Sequence, residues 1–219
     1  MTSVTASIAD KEQVGHADQP LLQYLRQATY SSHHQIEQNT RLARLLQPNL
    51  TLVNYQEVLA RMLGFLEPLE QAIDASPEAS RIYAGLGKRS KTPWLIQDLL
   101  SLGHSVQSIA DIPRATPQEL PAVTSLAKSA GVLYVLEGST LGGQLISRHL
   151  NHNLGLTSDR GGRFYAGYGA ENGRMWGQFR HWLNSLSLEE SQVHQAARAA
   201  VRTFEGLDLW LSREIATDG

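Results

Sequence analysis

The sequence predicts an all-α protein, built as one bundle of roughly seven to nine helices. Apolar residues recur at steps of three and four through most of the chain, and no segment of useful length alternates with a period of two. The length of 219 residues suits one large domain. We expect residues 1–18, which are polar and without a clear period, to form a flexible tail, and residues 19–219 to form a single helical domain.

Composition excludes several classes of function. The net charge is −2 and basic residues are scattered, so we expect neither nucleic acid nor a membrane as partner. The N-terminus lacks an apolar signal core, which favours a cytoplasmic location. The chain has no cysteine, so a metal must be held by histidine or carboxylate, or arrive inside a cofactor. His149 and His152 form an i,i+3 pair at a predicted helix end, but no third ligand accompanies them.

The first helix is predicted over residues 20–39, with Pro20 at a favourable first position. Its apolar face is made of residues three or four positions apart: Leu21, Leu25, Ala28, Ser32 and Ile36. His33 lies at the edge of this face, so we expect His33, and not His34, to point inward. Glu37 follows one turn later and can orient the imidazole so that its other nitrogen binds a metal. Spacing alone favours a plain core-edge histidine, because most histidines are not ligands.

The second long helix is predicted over residues 51–74. Its apolar stripe keeps a strict spacing of four and three: Tyr55, Leu59, Met62, Leu66, Leu69 and Ile73. Pro68 lies inside it, removes one backbone hydrogen bond and should kink the helix near Gly64.

Shorter elements are expected between residues 76 and 121. A short helix is predicted over residues 76–89, beginning at Ser76. Another begins with Thr92 as the N-cap before a proline and ends at Gly103. Residues 104–121 contain three prolines and predict a loop with one turn of helix.

A glycine-containing helix is predicted over residues 121–150. Its apolar spacing is helical, yet Gly138, Gly142 and Gly143 lie in its middle. Each interior glycine costs roughly 1 kcal/mol relative to alanine, so something must compensate. The glycines allow either tight packing between helices or close approach of the backbone to a planar cofactor, and spacing does not choose between them.

The C-terminal third combines an irregular segment with two helices. Residues 155–173 are rich in glycine and aromatic residues and carry no nucleotide-binding motif. A short helix follows over residues 174–186, with Arg180 beside its buried face. The last helix is predicted over residues 189–216, and its stripe consists of Val193, Ala197, Ala200, Phe204, Leu207, Leu211 and Ile215.

Three segments, in this order, resemble heme oxygenases. LRQATYSSHHQIE resembles the proximal helix of that family, and YVLEGSTLGGQLISRHL resembles its glycine-kinked distal helix. FYAGYGAENGRMWGQFRHWLNSL is similar to the bacterial branch associated with bacteriophytochromes. The resemblance covers about residues 20–215 and implies the all-α heme oxygenase fold, with heme between the first helix and the glycine-rich helix. It makes the ligand interpretation of His33 the favoured one.

The resemblance implies a role for individual residues of this sequence. His33 matches the axial iron ligand and Glu37 the carboxylate that orients it. Arg26 and Arg180 match basic residues that meet heme propionates, and Phe204 matches an aromatic residue near the heme edge. Apart from the iron ligand, the implied heme-binding residues are Arg26, Thr29, Glu37, Gly143, Arg180 and Phe204.

On the other side of the heme, the resemblance implies a face made of backbone. Gly138, Gly142 and Gly143 match the distal glycines, whose backbone approaches the heme. Ser139 stands where many heme oxygenases have an aspartate that organises water around bound oxygen. Either Ser139, the backbone and water do this together, or catalysis is weakened.

The implied activity is oxidative cleavage of heme to biliverdin, iron and CO, with O2 and electrons from a ferredoxin or a flavin reductase. A bacteriophytochrome is a candidate acceptor of the biliverdin. Two alternatives stay open: a heme-binding or heme-transfer protein without turnover at the same site, and a degenerate member of the fold that binds another ligand or none.

Overall fold

The computed structural model describes residues 21–214, and this part of the chain is all-helical, as predicted. It contains eleven α-helices: α1 Leu21–Ala28, α2 Tyr30–Glu37, α3 Thr40–Arg44, α4 Leu52–Asp74, α5 Ala79–Leu86, α6 Thr92–Ser101, α7 Val106–Ala110, α8 Leu126–Leu154, α9 Arg163–Ala166, α10 Asn172–Asn184 and α11 Glu190–Ser212. The described residues thus form more helices than the seven to nine predicted, because short helices such as α3 and α9 have only five and four residues and one predicted helix is divided in two. A 3₁₀ turn covers Gly169–Glu171. Within the described residues, extended pairing is limited to isolated bridges from Thr157 to Arg160 and Gly161. The tail predicted at residues 1–18 and the end of the chain at Ile215 lie outside the described residues.

The helix predicted over residues 20–39 is divided into α1 and α2 at Thr29. The interruption is slight, because the Thr29 N–H still donates to the Leu25 carbonyl at 3.0 Å and the His33 N–H to the Thr29 carbonyl at 2.8 Å. The Thr29 hydroxyl also donates to the Leu25 carbonyl, at 2.7 Å, which competes with regular helix bonding. Thr29 is buried while Ala28 is exposed, so the inclusion of Ala28 in the buried face was wrong.

The long helix α4 buries the predicted apolar stripe and continues through Pro68. All six residues of the stripe are buried: Tyr55, Leu59, Met62, Leu66, Leu69 and Ile73. Pro68 has no N–H to donate to the carbonyl of Gly64, four residues earlier. The Ala115 N–H donates to that carbonyl instead, at 2.8 Å. The proline therefore ties the loop after α7 to the middle of α4.

Two helix beginnings differ from the prediction because of side-chain hydrogen bonds. α6 begins at Thr92 and its N-cap is Lys91, since the Thr92 hydroxyl donates to Glu70 of α4 at 2.7 Å and does not cap the helix. α8 begins five residues later than predicted, where the Ser125 hydroxyl accepts from the Lys128 N–H.

The helix α8 is long and continuous, and α11 packs along it. At Gly131 the two backbones nearly touch, because a Cβ added there would lie 1.9 Å from the Ala196 carbonyl oxygen. The helices α1, α2 and α4 also pack against α11. α11 is therefore the common support for the N-terminal helices and for α8, which positions the segments that carry the predicted site.

The Gly131 contact makes a direct prediction about stability. Gly131→Ala should lower the free energy of unfolding by about 3 kcal/mol, since the clash is with backbone that cannot rotate away. Gly177→Ala in α10 is the matched control: no atom lies within 4 Å of its Cβ position, so alanine should stabilise by roughly 0.5–1 kcal/mol. Urea unfolding of both variants measures the two effects, and effects of the same sign would contradict the packing role of Gly131.

Candidate functional site

His33 is held on the surface of α2 by contacts on one side of its ring. Its Nδ1 lies 3.5 Å from Glu37 Oε1, and its ring meets the edge of the Phe204 ring at a centroid distance of 5.3 Å and an angle of 82°. Its Nε2 has no partner among residues 21–214. The side chain is 56% exposed, so it does not point into the core as the spacing suggested. The neighbouring His34 is 66% exposed and contacts Gln38 Nε2 at 3.0 Å.

Asp208 on α11 fixes the helix that carries His33, and sequence reasoning missed it. Gln35 Nε2 donates to Asp208 Oδ2 at 2.9 Å, and Asn39 Nδ2 donates to Asp208 Oδ1 at 2.8 Å. Phe204 lies one turn before Asp208 on the same helix, so α11 supports α2 through both an aromatic and a carboxylate contact. No motif signals this role, because the partners are about 170 residues apart.

On α8, an apolar stripe is left open to solvent. Gly138, Leu141, Gly142 and Leu145 follow the i, i+3, i+4, i+7 spacing of one helix face. Leu141 is 39% and Leu145 is 53% exposed. A Cβ at Gly142 would meet no atom within 4 Å, and one at Gly138 only the Trp176 ring at 3.9 Å. This exposed apolar face is a candidate place for a ligand or partner to bind.

The three glycines in the middle of α8 are not equivalent, which corrects the sequence-based grouping. Gly143 is buried, and a Cβ there would lie 2.9 Å from the carbonyl oxygen of Tyr165. Its missing side chain serves the packing of α8 against α9, and Gly143 does not lie on the open stripe. The packing interpretation therefore holds for Gly143, while Gly142 lies on an open face, where a role in binding a planar cofactor stays a prediction.

Two hydroxyl groups of the predicted site are engaged by the backbone of their own helices. Ser139 is exposed, and its hydroxyl donates to the Leu136 carbonyl at 2.8 Å. Thr29 is buried, and its hydroxyl donates to the Leu25 carbonyl. The Thr29 side chain is therefore a structural group, and the structure does not support its assignment to the heme-binding residues.

Arg26 and Arg180 are both available to a ligand. Each is exposed, and neither makes a hydrogen bond or ion pair with residues in the range 21–214. Arg26 lies on α1 and Arg180 on α10, and these two helices contact each other. Two guanidinium groups without a partner in the described part of the chain thus lie on adjacent helices, one of which, α1, leads into the helix of His33.

Other features of the fold are weaker candidates for a functional site. A cavity of about 580 Å³ between α5 and α10 is lined by Arg89, His181 and Trp182 and contains none of the predicted site residues. The described part of the chain has no cluster of three or more His, Cys, Asp or Glu residues arranged to hold a metal ion. His149 contacts the Gln47 carbonyl at 3.1 Å. Between residues 21 and 214 we also find no helix with the length and hydropathy of a membrane span.

Comparison with known proteins gives a consistent result. The sequence model of the heme oxygenase family matches residues 19–212. The chain is 27% identical over 202 residues to heme oxygenase PigA from Pseudomonas aeruginosa, covering 89% of this chain and 92% of that protein.

Solved structures show the same fold. The NO- and CO-bound heme oxygenase of Neisseria meningitidis superposes with a TM-score of 0.72 at 22% identity, over 91% of this chain and 95% of that one. Heme oxygenase-1 from the cyanobacterium Synechocystis, in complex with heme, superposes with a TM-score of 0.70 at 17% identity, over 88% and 91%. The family match spans nearly the whole described region, and the all-helical architecture agrees with it: this chain belongs to the heme oxygenase family.

Proposed function

We propose that this protein is a heme oxygenase that cleaves heme to biliverdin, iron and CO, using O2 and electrons from an external donor. The proposal rests mainly on His33 Nε2, which has no partner among the described residues. Glu37 and Phe204 contact the His33 ring, and α2 shares its support, α11, with the open glycine stripe of α8. Hemin binding, followed by addition of a reductant under air, tests it through the appearance of bile-pigment absorbance.

The residues of the site suit the chemistry of heme, group by group. The iron needs a neutral nitrogen ligand, which His33 offers. The flat apolar macrocycle needs a surface without protruding side chains, which Gly138 and Gly142 offer. The two propionates need cations within hydrogen-bonding distance, a role for Arg26 and Arg180, which are both exposed.

Each of these residues would contribute to the reaction through a separate physical effect. Heme supplies the O2 chemistry and is itself the substrate. Glu37, whose Oε1 lies 3.5 Å from His33 Nδ1, would orient the ring so that Nε2 is the metal-binding atom. Phe204 limits rotation of the imidazole by edge contact. Arg26 and Arg180 would set the rotation of heme about its axis and so select which carbon bridge is cut.

On the distal side, Ser139 replaces the aspartate expected from the family resemblance. Its hydroxyl proton points to the Leu136 carbonyl, so Ser139 would act as an acceptor that orders water. The open face at Gly142 leaves room for that water. Proton delivery would then depend on solvent held by backbone and hydroxyl groups.

The remaining partners are proposed from the sequence resemblance. The electron donor would be a ferredoxin or a flavin reductase, and a bacteriophytochrome would accept the biliverdin in a cell that makes this photoreceptor. A cytoplasmic location stays a prediction from the sequence.

One observation favours a second candidate function, heme binding or transfer without turnover. The open stripe carries no acidic side chain, and the Ser139 hydroxyl already donates its proton to the Leu136 carbonyl of its own helix. The two functions separate in the reduction experiment, because a transfer protein keeps its heme absorbance under air and a heme oxygenase does not.

His33→Ala should change the absorption spectrum of the hemin complex and abolish turnover, because the proposed axial ligand, Nε2, is lost. His34→Ala is the matched control and should retain the spectrum, since His34 makes only surface contacts with Gln38 and Glu37. A His33→Ala protein with the spectrum of the unmodified protein would assign the ligand elsewhere, with His34 as the first suspect.

Gly142→Leu should obstruct the distal face, because the new side chain would enter space that is open in the present structure. Oxygen binding to the reduced complex and turnover are expected to fall, while the fold is retained. Gln144→Leu adds the same side chain on an exposed part of α8 roughly 200° around the helix and should leave both measurements unaffected. Equal behaviour of the two variants would count against the glycine stripe.

Arg180→Ala should weaken hemin binding by about tenfold or more through loss of a charge-assisted hydrogen bond. It should also broaden the mixture of product isomers, because the heme rotates more freely. Arg174→Ala, on the same helix but paired with Glu171, is the control and should change neither. If affinity and isomer mixture both stay constant in Arg180→Ala, Arg180 is not a propionate partner.

A further inference from the structure

A buried carboxylate lies directly before the first glycine of the open stripe. Glu137 of α8 precedes Gly138, and only 1% of its side chain is exposed. Arg89 Nη1 donates to its Oε2 at 2.8 Å, and Lys91 Nζ donates to its Oε1 at 2.6 Å. The Tyr168 hydroxyl donates to Oε1 at 3.0 Å. We call Glu137, Arg89, Lys91 and Tyr168 the Glu137 cluster.

The two cations of the Glu137 cluster are fixed from other helices. Arg89 also donates from Nε to the Leu86 carbonyl at the end of α5, at 3.1 Å, and from Nη1 to the Met175 carbonyl of α10, at 2.9 Å. The backbone N–H of Lys91 donates to Glu70 Oε1 of α4 at 2.6 Å. The carboxylate of Glu137 is thus tied to three helices besides its own.

Tyr168 brings the segment after α9 into the same cluster. Its ring meets the Trp94 ring edge-on at 5.1 Å and 85°, and Lys91 Nζ lies 5.7 Å from its centroid. Burial, and then the nearby charge of Glu137, raise the pKa of the Tyr168 phenol far above its ordinary value. Tyr168 therefore remains a hydrogen-bond donor to Glu137 at any physiological pH.

Stability alone is a poor explanation for such a cluster. Removing charges from water is costly, and well-packed apolar residues of similar volume often stabilise a core equally well or better. A fully bonded buried network does, however, favour one arrangement of the groups it joins, because every alternative leaves a charge unpaired. The Glu137 cluster is such a network, with donors on both carboxylate oxygens.

The segment that follows Glu137 needs this kind of restraint. Gly138 and Gly142 have no side chains to hold the open face of α8, and glycine loosens a helix. The next restraint is on the other face, where Thr140 is buried beside Gly167 and Gly143 packs on the Tyr165 backbone. Before the glycines, Glu137 restrains α8 through its hydrogen bonds to Arg89, Lys91 and Tyr168.

We propose that Glu137 is a positioning residue for the distal face, holding the turn Gly138–Gly142 at a fixed place so that its backbone lies at one distance from bound heme. The proposal rests on the heme site proposed above for its consequence in catalysis. The mechanical part of the proposal, which is the restraint on the turn Gly138–Gly142, does not depend on that heme site, because the hydrogen bonds of the Glu137 cluster are formed in the protein without heme.

The mechanical part is tested by hydrogen exchange on the full-length, heme-free protein. Glu137→Gln removes the charge with little change of shape, and Tyr168→Phe removes a single donor. Exchange of the amides in residues 138–146 should accelerate by about tenfold or more in Glu137→Gln, and by less in Tyr168→Phe. The control is Glu67→Gln, which breaks the ion pair of α4 with Arg114 and should leave residues 138–146 unchanged.

The outcomes separate a positioning role from a general structural one. Acceleration confined to residues 138–146 supports the proposal, while no acceleration there, or equal acceleration in all helices, overturns it. If Glu137→Gln fails to fold, hydrogen exchange of Tyr168→Phe tests the proposal instead: acceleration confined to residues 138–146 supports it, and any other result overturns it.

A spectroscopic readout links the cluster to heme. In the reduced CO complex, the C–O stretching band should broaden or split in Glu137→Gln and stay single in Glu67→Gln, because a loose distal backbone samples several positions. An unchanged band alongside accelerated exchange would overturn the link to heme. A protein that binds no hemin at all would instead refute the proposed function, and the exchange data would still decide what Glu137 does to α8.

Discussion

The close contact between α8 and α11 is the constraint on which the candidate site depends. At Gly131 the two backbones approach until a Cβ would lie 1.9 Å from the Ala196 carbonyl oxygen, which leaves α8 little freedom to shift. Further along α11, Phe204 packs against His33, and Asp208 accepts hydrogen bonds from Gln35 in the last turn of α2 and from Asn39 just after it. One helix therefore supports both the histidine and the glycine stripe, so their relative position is set by helix packing and does not depend on loops.

The glycines of α8 show how one residue type serves different physical needs. Gly131 and Gly143 lack side chains because another backbone occupies that space. Gly142 lacks a side chain where no atom lies within 4 Å of the Cβ position, and a Cβ at Gly138 would make only ordinary contact with the Trp176 ring. A helix that carries four glycines must be held by tertiary contacts, since each one lowers its intrinsic stability. The packing glycines and the Glu137 cluster provide those contacts on either side of the open face.

Buried carboxylates restrain the irregular segments around the site. Glu70 accepts from the backbone and the hydroxyl of Thr92, and Glu137 binds the cations before α6. Asp98 accepts from the backbone N–H groups of Arg163 and Phe164, each at 2.8 Å, at the start of α9. Burial raises the pKa of Asp98, while these two hydrogen bonds act in the opposite direction. Connections with few apolar residues are thereby fastened to the long helices.

Periodicity predicted the order of the long helices and, in α4, the face that is buried, because the angle between residues on one helix is a local property. It likewise determined that Glu37 lies one turn from His33 and in reach of its ring. Only the tertiary structure decided that His33 is mostly exposed and that Gly143 packs while Gly142 stays open. Spacing along a chain gives a direction around a helix axis, but which neighbour occupies that direction is decided by chain segments far away in sequence.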